Sequence, residues 1–175
     1  DGKEHEAVGV ETYEFTVEGN SYTVSGLSTE DPKQKDAGSY TNNITGTPVV
    51  TDKEGNVVTS EFEVKTENGS LEIGKAAVTL KSATLSKKYD GNALVNGDTA
   101  LEVESGFAEG EGATYNFTGS QTVVGSSANA FSYELNSNTN IDNYAISKQE
   151  GTLTVTNREA KYEITVKANS ATATY

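Results

Sequence analysis

The stretch Val78-Thr79-Leu80-Lys81-Ser82-Ala83-Thr84-Leu85-Ser86-Lys87-Lys88-Tyr89-Asp90-Gly91 decides how this chain is read. Its first part alternates Val78 and Leu80 with Thr79 and Lys81, the period-two pattern of a strand with one wet face. Its end is a turn, in which Asp90 bonds nearby backbone and Gly91 enters positive φ without a Cβ penalty. Tyr89, just before the turn, is placed to bury its ring and send its hydroxyl to the domain edge. The last residues, Ile164 to Tyr175 (ITVKANSATATY), align on this stretch without a gap, with Lys167 over Lys81 and Tyr175 over Tyr89. The Asp-Gly that would follow Tyr175 stands at the head of the chain, as Asp1-Gly2.

Two further blocks repeat in the same order. Ser60 to Ile73 (SEFEVKTENGSLEI) aligns on Asp142 to Val155 (DNYAISKQEGTLTV), putting Phe62 on Tyr144, Gly69 on Gly151 and Leu71 on Leu153. Gln34 to Thr45 (QKDAGSYTNNIT) aligns on Gln121 to Ser132 (QTVVGSSANAFS), putting Gly38 on Gly125. With the ends read as joined, the motif tyrosines lie 86 residues apart one way and 89 the other, so two nearly equal modules fill 175 residues. Residues 76–158 read as one complete module. Residues 1–75 read as a module without its own first strand, and residues 159–175 as the first strand of a further module. Opening on Asp1 rather than Met is what a processed or excised piece of a longer protein would show.

Strand patterns recur along the chain, at Tyr13–Val17, Phe62–Val64, Leu71–Ile73, Leu101–Val103, Tyr115–Phe117, Leu153–Val155 and Ile164–Val166. Between them lie turn signals such as Glu18-Gly19-Asn20, Glu67-Asn68-Gly69 and Lys53–Asn56, the last expected to close a hairpin. The best helix candidate, Ala93–Glu104, is interrupted by Asn96-Gly97-Asp98. The expected fold is all-β: two tandem small immunoglobulin-like β-sandwiches, one cut after its first strand.

Composition excludes whole classes of function. A net charge of −13 repels a phosphate backbone, so nucleic acid is not a partner. With no cysteine there are no disulfides, zinc thiolates or thiol catalysis, and one histidine, His5, is too few for a metal centre or a triad. No apolar run reaches the roughly 18–20 residues of a membrane span, and no charged-then-apolar leader opens the chain. At 34% apolar residues, against roughly 45–50% in ordinary domains, each module has a thin core.

The three repeated blocks carry a resemblance. Tyr89-Asp90-Gly91 and Tyr175/Asp1-Gly2, the central Gly119 to Gly125, and the closing Asp142 to Val155 together resemble the YDG and MBG families of surface repeats. The resemblance covers the whole chain, closely over 76–158 and more loosely over 1–75, where Leu27–Lys33 reads as an insertion. It implies an extracellular stalk or adhesive module of a bacterial cell surface, built in tandem arrays. It supplies no ligand residues.

Candidate chemistry is sparse. Glu102/Glu104 and Glu109/Glu111 read as solvated acidic surface rather than the separated acid pair of a glycosidase. Asp52–Asn56 and Asp90-Gly91-Asn92 resemble fragments of calcium loops and allow adventitious calcium, with no cofactor expected. His5 sits between Glu4 and Glu6 as a surface residue, and Ser126-Ser127 has no partner histidine. Lys81 or Lys167 with Asn157 is a candidate isopeptide pair. The chain is expected not to be an enzyme.

The cut module is the sharpest feature. Its expected partner is a further copy of the same repeat, head to tail, with Ile164, Val166, Ala168 and Tyr175 in the pairing strand. The linker Glu159–Glu163 spans roughly 17 Å fully extended, too short to fold the strand back along a module of this size. Residues 162–175 then pair with a copy of residues 1–75, either through a covalent tandem array or by donor-strand complementation between subunits. The alternative is a module that binds host or matrix glycans, with Tyr13, Tyr22 or Tyr40 as exposed platforms.

Overall fold

A computed structural model of the chain describes residues 1–10 and 13–175. The fold is all-β and sandwich-like, and among the described residues there is no α-helix. The chain divides into two compact units. One comprises Asp1–Val78, Ser105–Ala113 and Leu135–Ser147; the other comprises Thr79–Glu104, Thr114–Glu134 and Lys148–Tyr175.

The first unit carries β1 (His5–Glu6), β2 (Glu14–Val17), β3 (Asn20–Thr29), β4 (Lys33–Gln34), β5 (Gly38–Asn42), β6 (Ile44–Asp52) and β7 (Gly69–Ile73). They form the sheet β2-β3-β6 and the pairs β1-β4 and β5-β7. Glu18 and Gly19 link β2 to β3 with φ of 48° and 81°, a primed turn that suits the strand twist. Phe15, Tyr22 and Phe62 pack together with centroids 4.9–5.5 Å apart. Among the described residues of this unit, the buried hydrophobic ones are Val50, Val78 and Tyr144.

At the end of β6, Asp52 organises the expected turn. Its Oδ1 accepts the N–H groups of Glu54 and Asn56, and its Oδ2 accepts the Asn56 amide. The return arm is one bridge, Thr51 to Val57, because a 3-10 turn begins at Thr59 and takes the chain away. The Asn56 side chain and the turn's N–H groups hold the Asp52 carboxyl below its ordinary 3.8. The stabilisation is complete above the unfolded-state value near 3.8 and fades as pH falls through the lower folded one. Carboxyl NMR titration should show Asp52 titrating below the ordinary aspartate value of 3.8, and the turn should loosen only under acid.

The remaining strands are β8 (Ala76–Lys81), β9 (Leu85–Lys88), β10 (Leu94–Val95), β11 (Val103–Ser105), β12 (Ala113–Phe117), β13 (Ser120–Gln121), β14 (Gly125–Ala128), β15 (Phe131–Leu135), β16 (Tyr144–Gln149) and β17 (Thr152–Thr156). Two three-stranded sheets result, β11-β8-β16 and β14-β17-β9, beside the pairs β10-β13 and β12-β15. The deciding stretch therefore belongs to both sheets: β8 is the middle strand of one, and β9 lies at the edge of the other. Val78 and Leu80 from β8 and Leu153 and Val155 from β17 are fully buried.

The change of sheet, at Ser82–Thr84, is held by buried polar groups. Ser82 donates its hydroxyl to the Asn129 carbonyl at 2.6 Å and accepts the Gly151 N–H at 2.9 Å. The Asn129 amide donates to the Ala83 carbonyl at 2.9 Å and to Asn96 Oδ1 at 2.7 Å. Buried polar groups left unpaired are costly, so this cluster fixes the crossing point.

Two expected strands are not formed. Phe62–Asn68 belongs to no strand, and neither does any residue after Thr156, Ile164–Val166 included. A strand exists only where a neighbour completes its backbone ladder, and neither segment has one among the described residues. Ala93–Glu104 is likewise no helix; its ends contribute β10 and β11.

Candidate inter-chain groove

The pairs β5-β7 and β14-β17 have the same register at the repeat-aligned positions. Gly38 lies opposite Ile73 and Tyr40 opposite Leu71; Gly125 lies opposite Val155 and Ser127 opposite Leu153. The 3-10 turns Thr59–Glu61 and Ile141–Asn143 also coincide in the alignment, each ending on the aromatic residue, Phe62 or Tyr144. What differs is the second edge. Strand β17 is paired on both sides, by β14 and in parallel by β9, with Leu85 opposite Leu153 and Lys88 opposite Thr156. Among the described residues, strand β7 is paired by β5 alone.

Three cavities are lined by residues of the first unit, two of them including residues of β7. One of about 410 Å³ is lined by Val10, Tyr13, Val24, Leu27, Ile44 and Val64. The next, about 500 Å³, is lined by Ala7, Val8, Asn42, Glu67 and Gly69. The third, about 300 Å³, is lined by Asp1, Gly2, Leu71, Ile73, Glu111 and Tyr144 among others.

The chain's last segment has the opposite character. Residues 156–175 are exposed throughout. Val78 and Leu80 are 1% and 0% exposed, whereas their repeat counterparts Ile164 and Val166 are 83% and 90% exposed. Ala168 and Tyr175 are exposed as well. In a chain of net charge −13, residues 157–175 hold three cations, Arg158, Lys161 and Lys167, against two anions, Glu159 and Glu163.

The hallmark residues occupy turns and pairings. Asp90 Oδ1 accepts the Asn92 N–H at 2.9 Å and Gly91 has φ of 87°; Asp1 Oδ1 accepts the Lys3 N–H at 3.0 Å and Gly2 has φ of 69°. The two Asp-Gly steps thus form the same turn. Tyr89 is half-buried and donates its N–H to the Thr156 carbonyl, closing β9 onto β17. Tyr144 packs edge-on against Phe107, donates its hydroxyl to Glu111 and accepts the Ala108 N–H. Burial first, and then Glu111, pushes its phenol up, so it stays a donor.

Other candidate chemistry disperses. Glu102 pairs with Lys81 at 3.0 Å while Glu104 accepts the Tyr115 hydroxyl at 2.8 Å, so the two carboxylates serve separate partners. His5 Nε2 lies 3.0 Å from Asp1 at the surface. Lys81 is engaged by Glu102 and Asn157 is exposed, which is not the buried setting of an isopeptide bond. Tyr22 and Tyr40 are not exposed platforms: Tyr22 packs on Phe15 and Phe62, and Tyr40 donates to the Asp36 carbonyl. Tyr13 is half exposed. Among the described residues, no helix is long and apolar enough to cross a membrane.

Sequence reasoning did not single out Ser82, Asn42 or Asn129. A signal was present, since Gly38-Ser39-Tyr40-Thr41-Asn42 and Gly125-Ser126-Ser127-Ala128-Asn129 share the pattern Gly-Ser-x-x-Asn, and both asparagines are buried. No family model, curated protein or solved structure matches the chain.

Proposed function

We propose that this chain is a non-enzymatic structural repeat of an extracellular bacterial surface array or filament, organised as the modules 1–75 and 76–158 and the strand 159–175. Residues 162–175 of one copy pair into residues 1–75 of the next. Tyr162–Lys167 takes the place beside Phe62–Glu67 that β8 takes beside β16, and Ala171–Thr174 runs parallel to β7 as β9 does to β17. Because each copy offers a strand at one end and a groove at the other, the contact is heterologous and propagates as a line.

The observation that carries this reading is the contrast between Val78 and Leu80, fully buried, and Ile164 and Val166, almost fully exposed at the same repeat positions. Burying each of the latter pair is worth about 1.5–3 kcal/mol. The resemblance of the Tyr-Asp-Gly blocks to surface repeats supports the setting, and the acidity of the chain keeps an extended array soluble and self-repelling. The pairing is the same whether successive copies are joined by a peptide bond or meet as subunits, and the intact mass of denatured native material separates those two forms. Sedimentation velocity tests the pairing itself: the 175-residue chain should form concentration-dependent linear oligomers, and Ile164→Asp with Val166→Asp should abolish them. A chain that remains monomeric at millimolar concentration would overturn the reading.

A further inference from the structure

We propose that the crossing segment Ala168-Asn169-Ser170 is the register lock of this assembly, received in a second copy by a backbone slot at Gly69 and by the amide of Asn42. The proposal rests on the head-to-tail reading and specifies how it is made selective.

Gly151 lies against the crossing segment at Ser82 and Ala83. Its φ is not in the left-handed region, so no turn requires a glycine there. Its surroundings do: a Cβ would lie 2.4 Å from the carbonyl oxygens of both Ser82 and Ala83. Glycine is needed because the chain crossing between sheets runs directly against it. Gly69 holds the same place in the repeat and also has no left-handed φ, yet a Cβ there would meet only Asn42 Cβ, at 3.7 Å. Among the described residues, no close contact requires a glycine at 69. A partner backbone passing through the 500 Å³ cavity that Gly69 lines would require one.

Asn42 points to the same occupant. Its counterpart Asn129 spends both amide hydrogens, on the Ala83 carbonyl and on Asn96 Oδ1. The Asn42 amide makes one bond among the described residues, a long one of 3.3 Å to the carbonyl of Ala7, the residue that aligns with Asn96. Its Oδ1 accepts the Asp31 N–H at 2.9 Å, which orients the amide. The acceptor corresponding to the Ala83 carbonyl is that of Asn169 in an incoming strand. Ser82 also donates its N–H to the Gln149 carbonyl, so the Ala168 N–H is matched to the Glu67 carbonyl. Because Ala168 replaces Ser82, the hydroxyl bridge is not repeated, and the lock acts through Asn42, Glu67 and the Gly69 slot.

A shift of the strand by one residue would turn Ile164 and Val166 to solvent and set side chains against Gly69, so the slot and the apolar face enforce one alignment. A second copy is the occupant because the sequence that matches Ser82–Thr84 in the repeat is this chain's own exposed 168–170.

The test uses the full chain carrying Ile164→Asp and Val166→Asp as acceptor, so that its own tail does not compete. The probe is a labelled synthetic peptide of residues 159–175, followed by fluorescence anisotropy. The peptide should bind, and Gly69→Val in the acceptor should weaken it at least tenfold without lowering the acceptor's melting temperature. Ala168→Pro in the peptide, which removes the N–H matched to Glu67 and leaves the acceptor untouched, should do the same, while Ala160→Pro should not. Peptide binding that is indifferent to both Gly69→Val and Ala168→Pro would overturn the lock and leave the assembly reading standing. No binding of the unmodified peptide, together with a monomeric wild-type chain, would overturn both.

Discussion

Leu80→Ala should lower the stability of the chain by about 2–5 kcal/mol, the range for emptying a fully buried leucine site. Leu80 is the inward residue of the middle strand of the sheet β11-β8-β16, and Val78 beside it is equally enclosed. Val166→Ala, at the matching position of the repeat, should leave the dilute chain unchanged within about 0.5 kcal/mol, because Val166 is 90% exposed. At assembling concentrations the same substitution should weaken association about tenfold, since two methyl groups that would enter a partner's core are removed. Urea unfolding followed by circular dichroism gives the first pair of values, and sedimentation equilibrium the third. Equal costs for Leu80→Ala and Val166→Ala in the dilute chain would mean that both are already buried within one molecule.

Gly151→Val should be the more damaging change, costing about 3–5 kcal/mol through overpacking and the loss of buried hydrogen bonds. The side chain would collide with the Ser82 and Ala83 carbonyls and part the cluster in which Ser82 and Asn129 are joined. Gly69→Val, whose Cβ would make an ordinary contact with Asn42 Cβ at 3.7 Å, should leave the melting temperature of the isolated chain where it was. One residue type at one repeat position thus gives opposite outcomes according to whether a crossing strand is already in place. Thermal unfolding of the two variants side by side checks it.

Much of this was legible in the sequence because strand periodicity and turn chemistry are local. Tyr13–Val17, Leu71–Ile73 and Val78–Leu80 fall in or overlap strands β2, β7 and β8, and Glu18-Gly19 forms its expected turn. Phe62–Val64 and Ile164–Val166 carry the same alternation yet form no strand, since alternation records which face is buried and not whether a neighbour is present. The groove could be located from the repeat, through Gly69 and Leu71. The polar cluster at the sheet crossing could not, because Ser82, Asn96 and Asn129 lie far apart along the chain and meet only where β8 passes into β9. Tyr22 and Tyr40 misled for a related reason: an aromatic residue on an alternating strand is equally compatible with a surface platform and with the partly buried settings found, Tyr22 on Phe15 and Phe62 and Tyr40 bonded to the Asp36 carbonyl.

The pairing of one copy's tail with another copy's first module is tested most directly by cysteine crosslinking, since the natural chain contains no cysteine. Thr154 lies opposite Ser86 in the parallel pair of β17 and β9, and the repeat carries that relation to Glu72 and Thr172. Neighbouring strands are about 4.8 Å apart, within disulfide reach. A chain with Glu72→Cys, mixed with an isotope-labelled chain carrying Thr172→Cys, should give a mixed disulfide dimer in high yield under mild oxidation. Replacing Thr172→Cys by Lys161→Cys should lose it. Absence of the mixed dimer, or equal yield from the position 161 variant, would contradict the account.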